Sequence, residues 1–177
     1  METAKVYDRR ARKSMPIRFS DRALAEWLSD QDLVVRLIVS GDPVPKARAR
    51  IVRGRAYTPD ATRGAEELIG WFAREQYAGP PQAGPLELFV NATMAIPKSW
   101  SKNKRAAAIA DQIRPTTRRD WDNLGKLVSD ALNGIICRDD AQIVKATVVK
   151  CYGAFPETAI EVWRWTPEKE AGRERSD

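Results

Sequence analysis

Apolar residues recur along this chain at two spacings, and the switches between them mark out its elements. Leu33 to Ser40 is a β-branched, apolar run closed by Gly41-Asp42-Pro43, which predicts a strand. Ile51 to Tyr57 reads as a small hairpin turning at Arg53-Gly54. Thr58-Pro59-Asp60 opens a helix to about Tyr77. Thr58 or Asp60 is a suitable cap, Leu68, Ile69, Phe72 and Gln76 fall at helical spacing, and Gly79-Pro80-Pro81 stops it. Alternation returns from Leu86 to Ile96, with Leu86, Leu88, Val90, Ala92 and Met94 on one face. Ser101 is placed to cap a short helix over 102–110. The strongest signal follows Asp120: Leu124, Leu127, Val128, Ala131 and Leu132 form one apolar helical stripe, ended by Asn133-Gly134. Two more strands are predicted, Ile143 to Tyr152 and Ala159 to Trp165, with Gly153 to Glu157 as the turn.

The pattern places one domain at 33–166. Residues 1–32 read as a basic extension, with a short helix from Asp21 to Leu28 capped by Ser20, and 167–177 as a charged tail. A hydrophobic content of 43% in 177 residues suits a single ordinary core. Cys137 and Cys151 are too few for a disulfide framework or a structural zinc site, so a reducing compartment is expected. Met1 to Arg10 lacks the apolar run of a secretory signal, and Leu33 to Val39 is broken by Arg36 and too short to cross a bilayer.

Charge changes the picture. The net charge is +6, which favours an anionic partner; the plainer alternative is a basic enzyme without one. Lys46, Arg48, Arg50, Arg53, Arg55 and Arg63 face one acid, Asp60, around the predicted hairpin. Lys98, Lys102, Lys104, Arg105, Arg114, Arg118 and Arg119 face only Asp111 in a second block. Such blocks suit phosphate contacts, although a charge run is commonly just a solvated face. Arg9, Arg10, Arg12, Lys13 and Arg18 read either as a DNA-contacting arm or as a solvated tail. Trp100, set among cations, suits either stacking on a base or packing beside a helix start.

Against this basic background stands an acidic cluster: Asp120 and Asp122 at the mouth of the best helix, and Asp139-Asp140 returning from its far end. Hard oxygen donors, with no histidine in the chain, suit Mg²⁺ or Mn²⁺ and argue against zinc. Without histidine the commonest general base is missing, and a bound metal is the natural means of activating water. Lys126, four residues after Asp122 on the same helix face, is placed to hold a phosphate, orient water or protonate a leaving group. Each residue also has a plainer reading. Asp120 or Asp122 can cap a helix, Asp122–Lys126 can be an ion pair worth about 0.2–0.5 kcal/mol, and Asp139-Asp140 can form a turn. Spacing leaves both readings open, but clustered carboxylates repel unless a cation compensates them.

The segment Arg119-Asp120-Trp121-Asp122-Asn123-Leu124, with Lys126, Asp130-Ala131-Leu132-Asn133-Gly134 and Asp139-Asp140-Ala141-Gln142-Ile143-Val144, resembles the signature of the RusA family of Holliday-junction resolvases. Gly41 to Arg48, Tyr57-Thr58-Pro59 and Ile96 to Ser101 look like its longer, phage-type branch. The resemblance covers about 33–165 and implies a small α/β (α+β) domain with a mixed β-sheet. It implies a homodimeric, Mg²⁺-dependent endodeoxyribonuclease, with Mn²⁺ able to substitute and no small-molecule cofactor or membrane partner. Such an enzyme resolves four-way DNA junctions by symmetric paired nicks in recombination and repair, in the cytoplasm of a bacterial or phage-infected cell. Asp120, Asp122 and Asp140 would be catalytic metal ligands, Lys126 the catalytic lysine and Asp139 a lesser neighbour. The alternatives are a nuclease for flaps, forks or plain duplex, and a non-catalytic DNA-binding protein on the same fold.

Overall fold

The computed structural model describes residues 5–8, 13–16, 32–48, 50–52, 55–117 and 119–166. The expected helix at 21–28, Arg9, Arg10, Arg12, Arg18, Arg53, Arg118 and the 167–177 tail lie outside the described residues. The chain divides into two units, 1–31 and 32–177. In the first, β1 (Lys5–Asp8) pairs antiparallel with β2 (Lys13–Pro16), from Lys5↔Pro16 to Asp8↔Lys13. The periodicity reading does not predict these strands: at four residues each they are too short to show a period.

The second unit holds β3 (Leu33–Ser40), β4 (Arg50–Val52), β5 (Arg55–Tyr57), α1 (Asp60–Gln76), β6 (Leu86–Ala95), α2 (Lys102–Ile109), α3 (Trp121–Leu132), β7 (Ile143–Gly153) and β8 (Glu157–Arg164). β4 and β5 form the expected hairpin. The other four strands make a mixed sheet in the order β3-β8-β6-β7, antiparallel except for the β6–β7 pair. With its helices this is an α+β domain.

Register sets the core. Leu37↔Ile160, Ile160↔Val90 and Val90↔Val148 run across the sheet in one row. Strand alternation puts the neighbours of that row on the same face, among them Val35, Val39, Leu86, Leu88 and Val162, all buried. α1 lies against β3 and α3, and α3 lies against β7 and β6. The stripe Leu124, Leu127, Val128, Ala131 and Leu132 is wholly buried, as its spacing requires. Ser101 caps α2, its hydroxyl accepting the Lys104 backbone N–H at 3.3 Å.

The link from β7 to β8 differs from a simple turn. β6 lies between these strands, so residues 154–156 bridge two strand spacings, roughly 10 Å, which three extended residues just reach. Gly153 permits the close passage: a Cβ there would lie 2.4 Å from Thr93 Cγ2. The Gly41 N–H donates to the Pro156 carbonyl at 2.9 Å and pins the link to the end of β3.

Ile160 is fully buried at the centre of the sheet, so Ile160→Ala is expected to cost about 2–5 kcal/mol in urea unfolding. Leu68→Ala, at a side chain 44% exposed on α1, is expected to stay within about 1 kcal/mol.

Candidate active site

The chain enters α3 through a kink. Arg119 has φ +57°, the left-handed region that non-glycine residues rarely adopt. The Lys150 ammonium donates to its carbonyl at 3.2 Å, and its guanidinium lies 3.5 Å from the Asp42 carboxylate. Asp120 then occupies the N-cap position with extended backbone, its carbonyl accepting the Leu124 N–H at 3.1 Å. Its carboxylate makes no capping bond, so the plain cap reading does not describe it. Asp122 is exposed in the first turn, where the helix dipole favours negative charge. Trp121, between them, points outward and is 63% exposed.

The acidic pair beyond the helix splits its tasks. Gly134, at φ +73°, turns the chain, and Ile136 and Cys137 bury before Asp139. Asp139 caps a single 3₁₀ turn, Asp140–Gln142, accepting the Ala141 N–H at 2.8 Å. Gln142 clamps the turn from both ends of its amide. Its Oε1 accepts the N–H groups of Arg138 (2.7 Å) and Asp139 (3.1 Å). Its Nε2 donates to the carbonyls of Gln82 (3.0 Å) and Gly84 (2.8 Å). Asp140, spared from capping, meets Lys126.

Lys126 Nζ lies 2.6 Å from Asp140 Oδ2 and 2.7 Å from Asp130 Oδ1. The ion pairs of this helix therefore run forward from Lys126, and the plainer alternative, an Asp122–Lys126 pair, is not among them. Asp130 Oδ2 lies 2.8 Å from Lys46 Nζ, which also pairs with Glu66. The bonds to Asp130 and then to Asp140 hold the Lys126 ammonium above its ordinary pKa, outweighing partial burial. Burial pushes Lys46 down, but Asp130 and Glu66 outweigh it and raise the lysine overall. Burial likewise works to raise Asp130, and its two lysines outweigh it and lower the carboxyl. A lysine raised in this way is a charged donor at neutral pH, fitted to bind a phosphate and not to act as a base.

As donors, Asp120, Asp122 and Asp140 fit a hard divalent cation, and the first two are exposed to receive one. Among the described residues, no three Asp, Glu, Cys or His side chains gather closely enough to hold an ion as they stand. Asp140 is occupied instead by the Lys126 ammonium.

The basic residues divide. Arg48, Lys98, Lys102 and Lys104 are exposed. Lys104 lies 4.1 Å from the centre of the Trp100 ring, which packs edge-on against Tyr152 at 5.0 Å, a packing contact for this tryptophan. Lys46 and Arg119 are drawn into ion pairs. Arg50 and Arg55 lie on β4 and β5, in the pairs Arg50↔Tyr57 and Val52↔Arg55. The residues that sequence reasoning left without a task are Asp42, Glu66, Asp130, Gln142 and Lys150. Of their contacts, two had a local signal: Lys126–Asp130 at i, i+4, and Gln142–Asp139 at the spacing of a capping box.

A family model described as endodeoxyribonuclease RusA matches residues 40–163, a span that contains every residue of this site. The chain is also 31% identical, over 134 residues, to an uncharacterized protein, YqaN, of Bacillus subtilis (strain 168). That match covers 72% of this chain and 94% of the relative.

Gln142→Ala removes four hydrogen bonds at the turn that carries Asp140. It is expected to lower stability by about 1–3 kcal/mol in urea unfolding. A change below about 0.5 kcal/mol would show that the clamp contributes little.

Proposed function

Because this chain belongs to the RusA endodeoxyribonuclease family, a family of Holliday-junction resolvases, we propose that it cuts four-way DNA junctions by Mg²⁺-dependent, symmetrically paired nicks. One observation carries the reading furthest: a protonated lysine, Lys126, is held 2.6 Å from Asp140, on the same helix whose entry presents the uncapped Asp120 and the exposed Asp122. Asp120, Asp122 and Asp140 would hold Mg²⁺, or Mn²⁺ in its place, with Asp139 contributing less because its carboxylate caps the turn. When bound, the ion supplies positive charge that activates water and balances charge on the phosphate.

The chain's own groups do the rest. Hydrolysis adds water to phosphorus and breaks one P–O bond, so the leaving oxygen must take up a proton. Lys126, kept charged by its carboxylates, is suited to bind the scissile phosphate, and solvent can supply that proton. Arg48, Arg50, Arg53, Arg55, Lys98, Lys102, Lys104, Arg118 and Arg119 would track phosphates, adding affinity without reading sequence. A homodimer with two-fold symmetry would present two such sites to the matching symmetry of a junction. Recombination and repair are where a cell meets that substrate. No described helix is long and apolar enough to cross a membrane.

The test is a panel of four-way junction, fork, flap and linear duplex, each with Mg²⁺ and with EDTA. Junction cleavage should require Mg²⁺ and exceed duplex cleavage; equal rates on both would replace this reading with a general nuclease. Asp122→Asn should lower nicking at least about 100-fold while junction binding persists. Light scattering should give twice the 19.9 kDa chain mass at working concentration, and a monomer there would remove the paired-cut reading.

A further inference from the structure

Asp130 has no task in the reaction just described, yet two lysines converge on it. Its oxygens are divided, Oδ1 to Lys126 at 2.7 Å and Oδ2 to Lys46 at 2.8 Å. It projects from the last turn of α3, whose apolar stripe is locked into the core, so the carboxylate sits on a rigid support. Lys46 arrives on a loop stitched to two helices. Its backbone N–H donates to the Asn123 carbonyl at 2.8 Å, the Ala47 N–H donates to the buried Thr62 hydroxyl at 3.2 Å, and the Lys46 ammonium also meets Glu66 on α1. The Lys46 side chain is 26% exposed against 53% for Lys126, so of two lysines that each meet two carboxylates it is the less open to a phosphate.

Lys126 has a different difficulty. Its other partner is Asp140, a candidate ligand, and a cation bound there would compete with the ammonium for that carboxylate. Asp130 is the partner that stays.

Resting on the reading above, we propose that Asp130 is a positioning residue, anchoring Lys126 beside Asp140, and that Lys46 supports this anchor instead of contacting DNA. The ammonium has three donors. Asp130 and Asp140 take two, which leaves at least one for a phosphate oxygen. Without Asp130, Lys126 has a single carboxylate tether and a flexible stem, and its time in the productive position falls. Lys46 neutralises the second Asp130 oxygen and holds the carboxylate in a single orientation, so its loss acts on Lys126 through Asp130.

The experiment joins kinetics with lysine labelling. On a four-way junction with Mg²⁺, Asp130→Asn should lower kcat about 10–100-fold and leave KM within about threefold. Added to Lys126→Met it should cost nothing further, because the two residues act as one unit. Lys46→Met should lower kcat in the same sense, less steeply, with junction affinity and its salt dependence unchanged. In the full chain without DNA or metal, acetylation followed by mass spectrometry should show Lys126 protected, and Asp130→Asn should raise its labelling severalfold. Asp130→Glu should restore part of both effects.

Unchanged kcat in Asp130→Asn, or a penalty that adds in full to that of Lys126→Met, overturns the proposal. So does a Lys46→Met variant that loses junction affinity and salt dependence with kcat intact, the signature of a plain phosphate contact. If Asp130→Asn fails to fold, Lys46→Met decides by the same two readouts. If the unaltered chain cuts no DNA, the nuclease reading falls, and the labelling alone still decides whether Asp130 holds Lys126.

Discussion

β6 and β7 lie side by side in parallel from Leu86↔Ile143 to Ala95↔Gly153, and a parallel pair cannot be closed by a tight turn. The chain must travel back along the sheet before β7 begins. Everything between 96 and 142 is that crossover, and it carries the candidate site: α2, the basic approach, α3 with Asp120 and Asp122 at its entry, and the 3₁₀ turn with Asp140. α3 is fastened to the sheet by its buried stripe. Its far side is left to carry Lys126 and Asp130, and the turn before β7 delivers Asp140 to them. The same topology puts β6 between β7 and β8 and brings the chain at Gly153 close against Thr93.

The charge network on α3 serves orientation more than stability. The Lys126 side chain is 53% exposed and Asp140 30%, so each ion pair contributes at most about 1 kcal/mol after solvent screening. One core residue such as Ile160 outweighs that. What the network does supply is direction: two lysines and three carboxylates, none far from a partner, hold one ammonium at one acid. The kink at Arg119 belongs to the same economy of placement. A left-handed non-glycine residue costs on the order of 1–3 kcal/mol, and here Lys150 and Asp42 hold it directly before Asp120.

Much of the fold was legible because its signals are local. The helices over 60–76 and 121–132 and the strands at 86–95 and 143–153 follow apolar periods that reflect burial on one face, the strand at 33–40 is an apolar run, and the helix over 102–109 shows in its Ser101 cap. The hairpin at 50–57 was legible from its turn residues. β1 and β2 escaped because strands of four residues show no period. The link from β7 to β8 looked like a turn because strand order leaves no trace in the spacing of residues.

The candidate site divides along the same line. From the chain alone came the identity of its groups: carboxylates at both ends of one helix, a lysine within it, no histidine, and cations on either side. Local chemistry also decided that Lys126 and Asp130 share a helix face. Only the tertiary structure decided that Asp140 faces Lys126, that Gln142 reaches across to Gln82 and Gly84, and that Lys46 is bound to Asp130. The physical reason is range. A period or a cap is settled within a few residues, whereas an ion pair between distant segments exists only after the sheet has ordered its strands and the core has locked the helices upon it.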